Sequence, residues 1–327
     1  VIADASRTAP FPSGQDDVDP DIRRFQQAIE GGYAAHAGGP EKTVAERRRV
    51  AELVRAPWRA GGPVMARTDE LRAGGTGVRV RIHRPSLETG LPVLIYIHGG
   101  GWVLFSLDTH DRLMREYAAR SGAVVVGVDY TRSPEAKFPQ AIDEIVGVVE
   151  WLRNAGASLG LDPARIAVAG DSVGANMSVA VNLRLRERGL GVLAAMLLNY
   201  GAFDHQETPS HARYGGPAYM LNSAEMVEFW ASYLRGPEDY ADPLAVPLRA
   251  HLTGLPPAFL CIAQCDILAD ENRQMAGRLR AASVPVEEQI YPGATHSFLE
   301  AVSISPLADK ALTEASDWLA QRLGLTR

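Results

Sequence analysis

The rhythm of apolar and polar positions along the 327-residue chain changes near residue 64. Before that point, Asp19-Pro20 supplies an N-cap followed by proline at the first helical position, and Ile22, Phe25, Ala28 and Ile29 form an apolar stripe behind it. Gly31-Gly32 and Gly38-Gly39-Pro40 punctuate that stretch. Thr43-Val44-Ala45-Glu46 has the form of a capping box, which predicts a basic helix running to about residue 55. Residues 1–18, rich in Pro, Ser and Asp, read as a loose arm. Beyond residue 64, two alternating segments at 64–71 and 78–84 flank Gly74-Gly75-Thr76-Gly77, a hairpin signal. Short Val/Ile/Leu runs at 93–97, 123–128, 166–169, 194–198, 258–263 and 286–291 then alternate with helical segments near 108–121, 139–154, 174–188, 271–282 and 307–323. Near-continuous apolar strands are buried on both faces, so the pattern predicts an α/β protein with a mostly parallel sheet wrapped by helices. Residues 203–250, with Tyr214-Gly215-Gly216-Pro217 and an apolar-aromatic run at 226–234, break the alternation and read as an insertion.

Composition narrows the classes of function. A formal net charge of −6, dispersed along the chain, leaves no basic footprint for nucleic acid. The longest apolar runs are far too short to span a bilayer. Cys261 and Cys265 are the only cysteines, too few for a disulfide framework or a thiolate zinc site. They read as buried reduced thiols of a cytoplasmic protein, and no basic-then-apolar signal-peptide pattern opens the chain. No H-E-x-x-H and no carboxylate–histidine cluster has metal spacing, so neither a metal nor a cofactor is expected.

Two segments have the form G-x-S-x-G: Gly156-Ala157-Ser158-Leu159-Gly160 and Gly170-Asp171-Ser172-Val173-Gly174. Context separates them. A nucleophile elbow follows a strand and opens a helix, so that the strained turn lifts the serine above the sheet beside a helix N-terminus. Ser172 follows Ile166-Ala167-Val168-Ala169 and precedes a helical run, whereas Ser158 follows a helix and runs into Leu161-Asp162-Pro163. Ser172 is therefore the candidate nucleophile and Ser158 a loop serine.

His98-Gly99-Gly100-Gly101 lies directly after an apolar strand. Three glycines leave backbone N–H groups free to converge on one point, as a tetrahedral oxyanion requires, with the amide of residue 173 as a further donor. A phosphate-binding turn is the alternative, but no Gly-Lys-Ser/Thr follows. Chain order then asks for an acid and a histidine after the serine. His205 and His211 fall in the insertion and His251 in a polar loop, while His296 follows the last apolar strand. Asp266 comes first off the preceding strand, and Asp270 reads as the cap of the next helix. His98 reads as a structural residue of its loop.

These residues, taken with Trp102, Ser106-Leu107-Asp108-Thr109-His110, Asp129-Tyr130-Thr131-Arg132-Ser133-Pro134-Glu135, Phe138-Pro139, Ile267-Leu268-Ala269 and Tyr291-Pro292-Gly293, make five ordered blocks. From about residue 63 onward the chain resembles the hormone-sensitive-lipase-like branch of the α/β-hydrolases, close to bacterial acetyl esterases and carboxylesterases. The resemblance implies an eight-stranded, mostly parallel sheet with a helical cap. Residues 1–62 and 203–250 would form that cap, and residues 63–202 and 251–327 the catalytic domain. It implies cofactor-free hydrolysis of a small-molecule ester, with Ser172 as nucleophile, His296 as base and acid, and Asp266 as its orienter. The oxyanion donors would come from Gly99, Gly100, Gly101 and Val173. It also implies a homodimer through the sheet edge.

Three positions depart from the family pattern: Val173 stands where Ala is usual, Phe105 where Gly is usual, and Ile267 where Pro is common. Trp102, Phe105, Val173 and Phe203 together suggest a tight apolar pocket and short acyl groups of acetyl or butyryl size. Amide, arylformamide or lactone hydrolysis on the same triad stays open, and a non-catalytic binding role is disfavoured because all three triad residues are present.

Overall fold

The structure is a computed structural model that describes residues 17–37 and 42–325. Nearly all of the arm read at 1–18, and the Gly38-Gly39-Pro40 break, lie outside the described residues. Eight strands form one sheet: β1 (Arg67–Arg72), β2 (Arg79–Arg84), β3 (Leu91–Ile97), β4 (Val124–Asp129), β5 (Leu161–Asp171), β6 (Met196–Asn199), β7 (Ala258–Cys265) and β8 (Val286–Thr295). Their order is β1-β2-β4-β3-β5-β6-β7-β8. The β1–β2 hairpin joins antiparallel to β4, and every other pairing is parallel.

Side-chain chemistry explains that split. In β2 the buried Val80 and Ile82 alternate with Arg79 and Arg81, which reach Asp129 at 3.0 Å and Asp108 at 2.7 Å. One face of this edge is thus wet, as antiparallel pairs allow. In β3, and in β4 as far as Val128, no residue is charged, and Ile95 sits in register between Val126 and Val168, buried from both sides.

Right-handed crossovers fix where the helices go. The step from β3 to β4 runs opposite to the steps that follow, so α3 (Asp111–Ser121) lies on one face, where it packs on α9 (Pro306–Arg322). Helices α4 (Gln140–Ala155), α5 (Val173–Glu187) and α8 (Ala269–Ala281) cover the other face. The ends of β3, β5, β7 and β8 consequently open on one edge of the sheet, where parallel α/β folds build their sites.

Above that edge lie α1 (Pro20–Ala34) and α2 (Val44–Arg59), with α6 (Pro209–Tyr214) and α7 (Ser223–Tyr233) from the 203–250 segment. Asp19 caps α1, accepting from the Asp21 amide at 2.9 Å, and Thr43 and Glu46 close the capping box of α2. Helix α1 runs on through Gly31-Gly32 to Ala34, because Ile22, Phe25 and Ile29 are buried against the fold and packing outweighs the weak helix propensity of glycine. Among the described residues no helix is long and apolar enough to cross a membrane. Cys261 and Cys265 on β7 are free and buried, and burial pushes both thiols up, Cys265 to about 11.

Candidate active site

β5 ends at Asp171 and α5 begins at Val173, so Ser172 alone makes the turn, at φ 56° and ψ −119°. The turn is pinned from both sides. Ser172 N donates to Asn199 O at 2.9 Å, and Ser172 O accepts from Ala202 N at 3.2 Å. A Cβ at Gly174 would strike the carbonyl of Ile97, which is why the helix can start so close to β3. Ser172 Oγ bonds to no group among the described residues and lines a large cavity. Ser158 is elsewhere, in an exposed 3₁₀ turn with its hydroxyl donating to Ala155 O at 2.7 Å.

His296 emerges just past β8 and Asp266 just past β7, both buried. Asp266 Oδ1 accepts from the Leu268 amide at 3.0 Å, and His296 Nδ1 lies 2.7 Å from Asp266 Oδ2. That pairing puts the imidazole proton on Nδ1 and leaves Nε2 as the basic nitrogen. Of the four histidines after Ser172, only His296 lines the cavity. Asp270 does not cap the following helix: α8 begins at Ala269, and the Asp270 carboxylate accepts from Ser210 N at 2.8 Å, tying α8 to α6.

The amides of Gly100, Gly101 and Val173 donate to no protein group among the described residues, whereas that of Gly99 donates to Asp171 Oδ1 at 3.2 Å. Gly99 therefore supports the loop from below, and the free donors are the other three. Gly100 turns at φ 103°, with its carbonyl accepting from Leu104 N at 2.8 Å. His98 is locked by Nδ1–H to Gly99 O at 2.8 Å and stacks on Tyr130, with centroids 4.4 Å apart. Burial, with His110 nearby, pushes its pKa down to about 3, so it stays neutral.

The cavity holds about 710 Å³, between Ile29, Tyr33 and Val50 of the N-terminal helices and Met220, Met226 and Phe229 of the 203–250 segment. Gly100, Gly101, Phe105, Ser172 and His296 form its floor and near wall. Trp102 and Phe203 do not line it, contrary to the expectation from sequence. Trp102 is stacked flat on Tyr233 at 4.2 Å, and Phe203 is buried with its amide held by Glu271 Oε1 at 3.1 Å. The side chain of Val173 is likewise buried and outside the lining, so crowding of the pocket falls to Phe105 alone. No group of three or more His, Cys, Asp or Glu among the described residues is placed to hold a metal ion.

The profile of the alpha/beta hydrolase fold family matches residues 94–300. The chain belongs to the α/β-hydrolase family. An acetyl esterase of Salmonella choleraesuis (strain SC-B67) is 36% identical over 279 residues, spanning 84% of this chain and 86% of that protein. Among solved structures, a hyperthermophilic esterase from the archaeon Pyrobaculum calidifontis has a TM-score of 0.87 at 32% identity, covering 93% of this chain and 98% of that one. A thermostable esterase from Pseudomonas putida ECU1011 has a TM-score of 0.85 at 33% identity, covering 96% and 100%.

Two features of this α/β-hydrolase were not assigned from sequence. Arg55 of α2 and Glu300, four residues past His296, form an ion pair of 2.7 Å with both side chains almost fully enclosed. Burial opposes the guanidinium charge, but Glu300 and Tyr33 outweigh it and raise the Arg55 pKa. The second feature is a polar cluster around Asp171 and His110 beneath the glycine loop. A buried charge inside apolar surroundings demands a partner, and an Asp closing the uncharged run 166–170 is the signal that points to one.

Proposed function

We propose that this carboxylic-ester hydrolase uses Ser172, His296 and Asp266 as a catalytic triad on esters of short acyl groups, with the larger part of the substrate on the alcohol side. His296 Nε2 takes the proton as Ser172 Oγ attacks the carbonyl, and the amides of Gly100, Gly101 and Val173 hold the developing oxyanion. The proton passes to the leaving alcohol. Water then enters, activated by the same nitrogen, and frees the acid from the acyl-enzyme. The observation that carries this reading is the 2.7 Å contact of His296 Nδ1 with Asp266 Oδ2 on the cavity that also exposes Ser172. Ser172 Oγ and His296 share that cavity without a hydrogen bond between them, and catalytic bonds of this kind form or tighten when substrate binds. Phe105 beside the glycine loop supports a short acyl group, and the remaining volume supports a bulky alcohol.

The test is a series of p-nitrophenyl esters from acetyl to decanoyl, with Ser172→Ala and Ser158→Ala beside the wild type. Acetyl or butyryl should be fastest, Ser158→Ala should be unchanged, and Ser172→Ala should lose at least ~10⁴-fold in kcat. Activity retained by Ser172→Ala overturns the mechanism, and decanoyl matching acetyl overturns the acyl preference.

A further inference from the structure

The carboxylate of Asp171, immediately before Ser172, is spent on the floor of the glycine loop. Oδ1 accepts from Tyr96 Oη at 2.8 Å and from Gly99 N at 3.2 Å, while Oδ2 lies 3.2 Å from His110 Nε2. A Cβ on Gly99 would run into that same carboxylate, so loop and acid are fitted face to face. The other side of His110 meets a hydroxyl. Its Nδ1 lies 2.9 Å from Thr109 Oγ1. That hydroxyl also lies 2.9 Å from Ser106 O, and when it donates there it accepts from His110. With the Thr109 proton on Ser106 O, both ring nitrogens of His110 face acceptors, an arrangement that a doubly protonated ring satisfies.

We propose that His110 is a positioning residue of the oxyanion hole: its imidazolium clamps Asp171, Asp171 clamps the Gly99 amide, and the next two peptide planes thereby aim the Gly100 and Gly101 N–H groups at the reacting carbonyl. The proposal rests on the reading of Ser172 as nucleophile and of those amides as oxyanion donors. The groups facing His110 are Asp171, His98 and Tyr96 from the strand ends, Arg55 from α2 and Glu300 from the turn after β8. Asp171 alone of these is within hydrogen-bond distance. Burial lowers the His110 pKa, but Asp171 outweighs it and the net shift is upward. Burial acts oppositely on Asp171, where His110 outweighs it and the net shift is downward.

The experiment measures kcat and KM on p-nitrophenyl acetate from pH 6 to 9.5 for wild type, His110→Ala, His110→Gln and Ser172→Ala, each normalised to folded protein by near-ultraviolet circular dichroism. His110→Ala should lose roughly 10- to 100-fold in kcat with KM within about threefold, the signature of a lost transition-state interaction. His110→Gln keeps an N–H donor where Nε2 stood. It should regain most of that loss and, lacking a titrating ring, should lack the alkaline decline expected of the wild type as His110 deprotonates. A kcat for His110→Ala within threefold of wild type overturns the proposal, as does His110→Gln no better than His110→Ala. If His110→Ala does not fold, the pH profile of His110→Gln decides: no alkaline decline supports the clamp, and one parallel to wild type overturns it. Ser172→Ala separates the two readings. If it stays active, the nucleophile assignment and the clamp fall together. If it is dead while His110→Ala is unimpaired, only the clamp falls.

Discussion

At Ser172, φ 56° and ψ −119° hold a non-glycine residue where the backbone costs on the order of 1–3 kcal/mol. Glycine adopts that conformation without the penalty. Ser172→Gly should therefore raise the unfolding free energy by roughly 1–2 kcal/mol over Ser172→Ala while abolishing turnover, a difference urea titration can read. If the two variants unfold alike, the turn stores no strain. Asp266 has a different task. Asp266→Asn offers either an N–H that opposes the His296 Nδ1 proton or a flipped tautomer, so kcat should fall by about 10⁴-fold with KM little changed. A loss under tenfold means His296 is oriented by something else. The placing of Ser172, Asp266 and His296 on one edge of the sheet was legible because each follows an apolar run, and the end of a parallel strand has only one edge to face. Trp102 and Phe203 were misread for a related reason. Trp102 directly follows the glycine loop in sequence, but its ring turns onto Tyr233 of α7, and Phe203 is buried beside Glu271, placements that no local pattern encodes.

Among the elements, α2 shows how the upper layer is tied to the sheet. Its Arg55 reaches Glu300 in the turn Phe298–Ser303, and the guanidinium lies 4.8 Å from the Phe105 ring. Removing one partner strands the other charge in a closed space. Glu300→Ala should destabilise by about 3–5 kcal/mol, and Arg55→Met with Glu300→Met should recover most of it. Urea unfolding of the three proteins checks this; a double variant no better than the single one would mean the packing, not the charge, carries the loss. From sequence, α2 was legible through its capping box and α1 through its stripe. Helix α5 was placed by its strand and loop context, since nearly all of its residues are buried and it has no polar face to give a period. The start of α8 was misplaced because Asp266 Oδ1 takes the Leu268 amide, which lets the helix begin before Asp270.

At the scale of the whole molecule, the buried Asp171–His110 pair links stability to pH through two opposite shifts, the carboxyl down and the imidazole up. The depressed Asp171 contributes stability above its ordinary pKa near 3.8 and loses it as pH falls through the folded value. The raised His110 contributes stability that is complete below about 6.5 and is lost as pH climbs through its folded value. The pair thus stabilises most between those limits. The gap in unfolding free energy between wild type and His110→Gln should be wider at pH 5.5 than at pH 9, and an equal gap would show that the ring is uncharged. The α/β class and the site edge were legible at this scale, because strand burial and strand order follow from apolar runs and crossover handedness. The cavity's volume was not, since it is set by how two segments far apart in the chain meet over the sheet.

The two cysteines have a use that has nothing to do with hydrolysis. Both are enclosed on β7 with thiols pushed up by burial, so neither presents a thiolate to a reagent in the folded state. The native chain is therefore a host without a thiol that takes label. A single Val227→Cys places a reactive group on the exposed side of α7, one residue from the cavity-lining Met226, without entering the cavity. A fluorophore there would take label at one position only and report, substrate by substrate, how far that helix moves while a turnover is in progress.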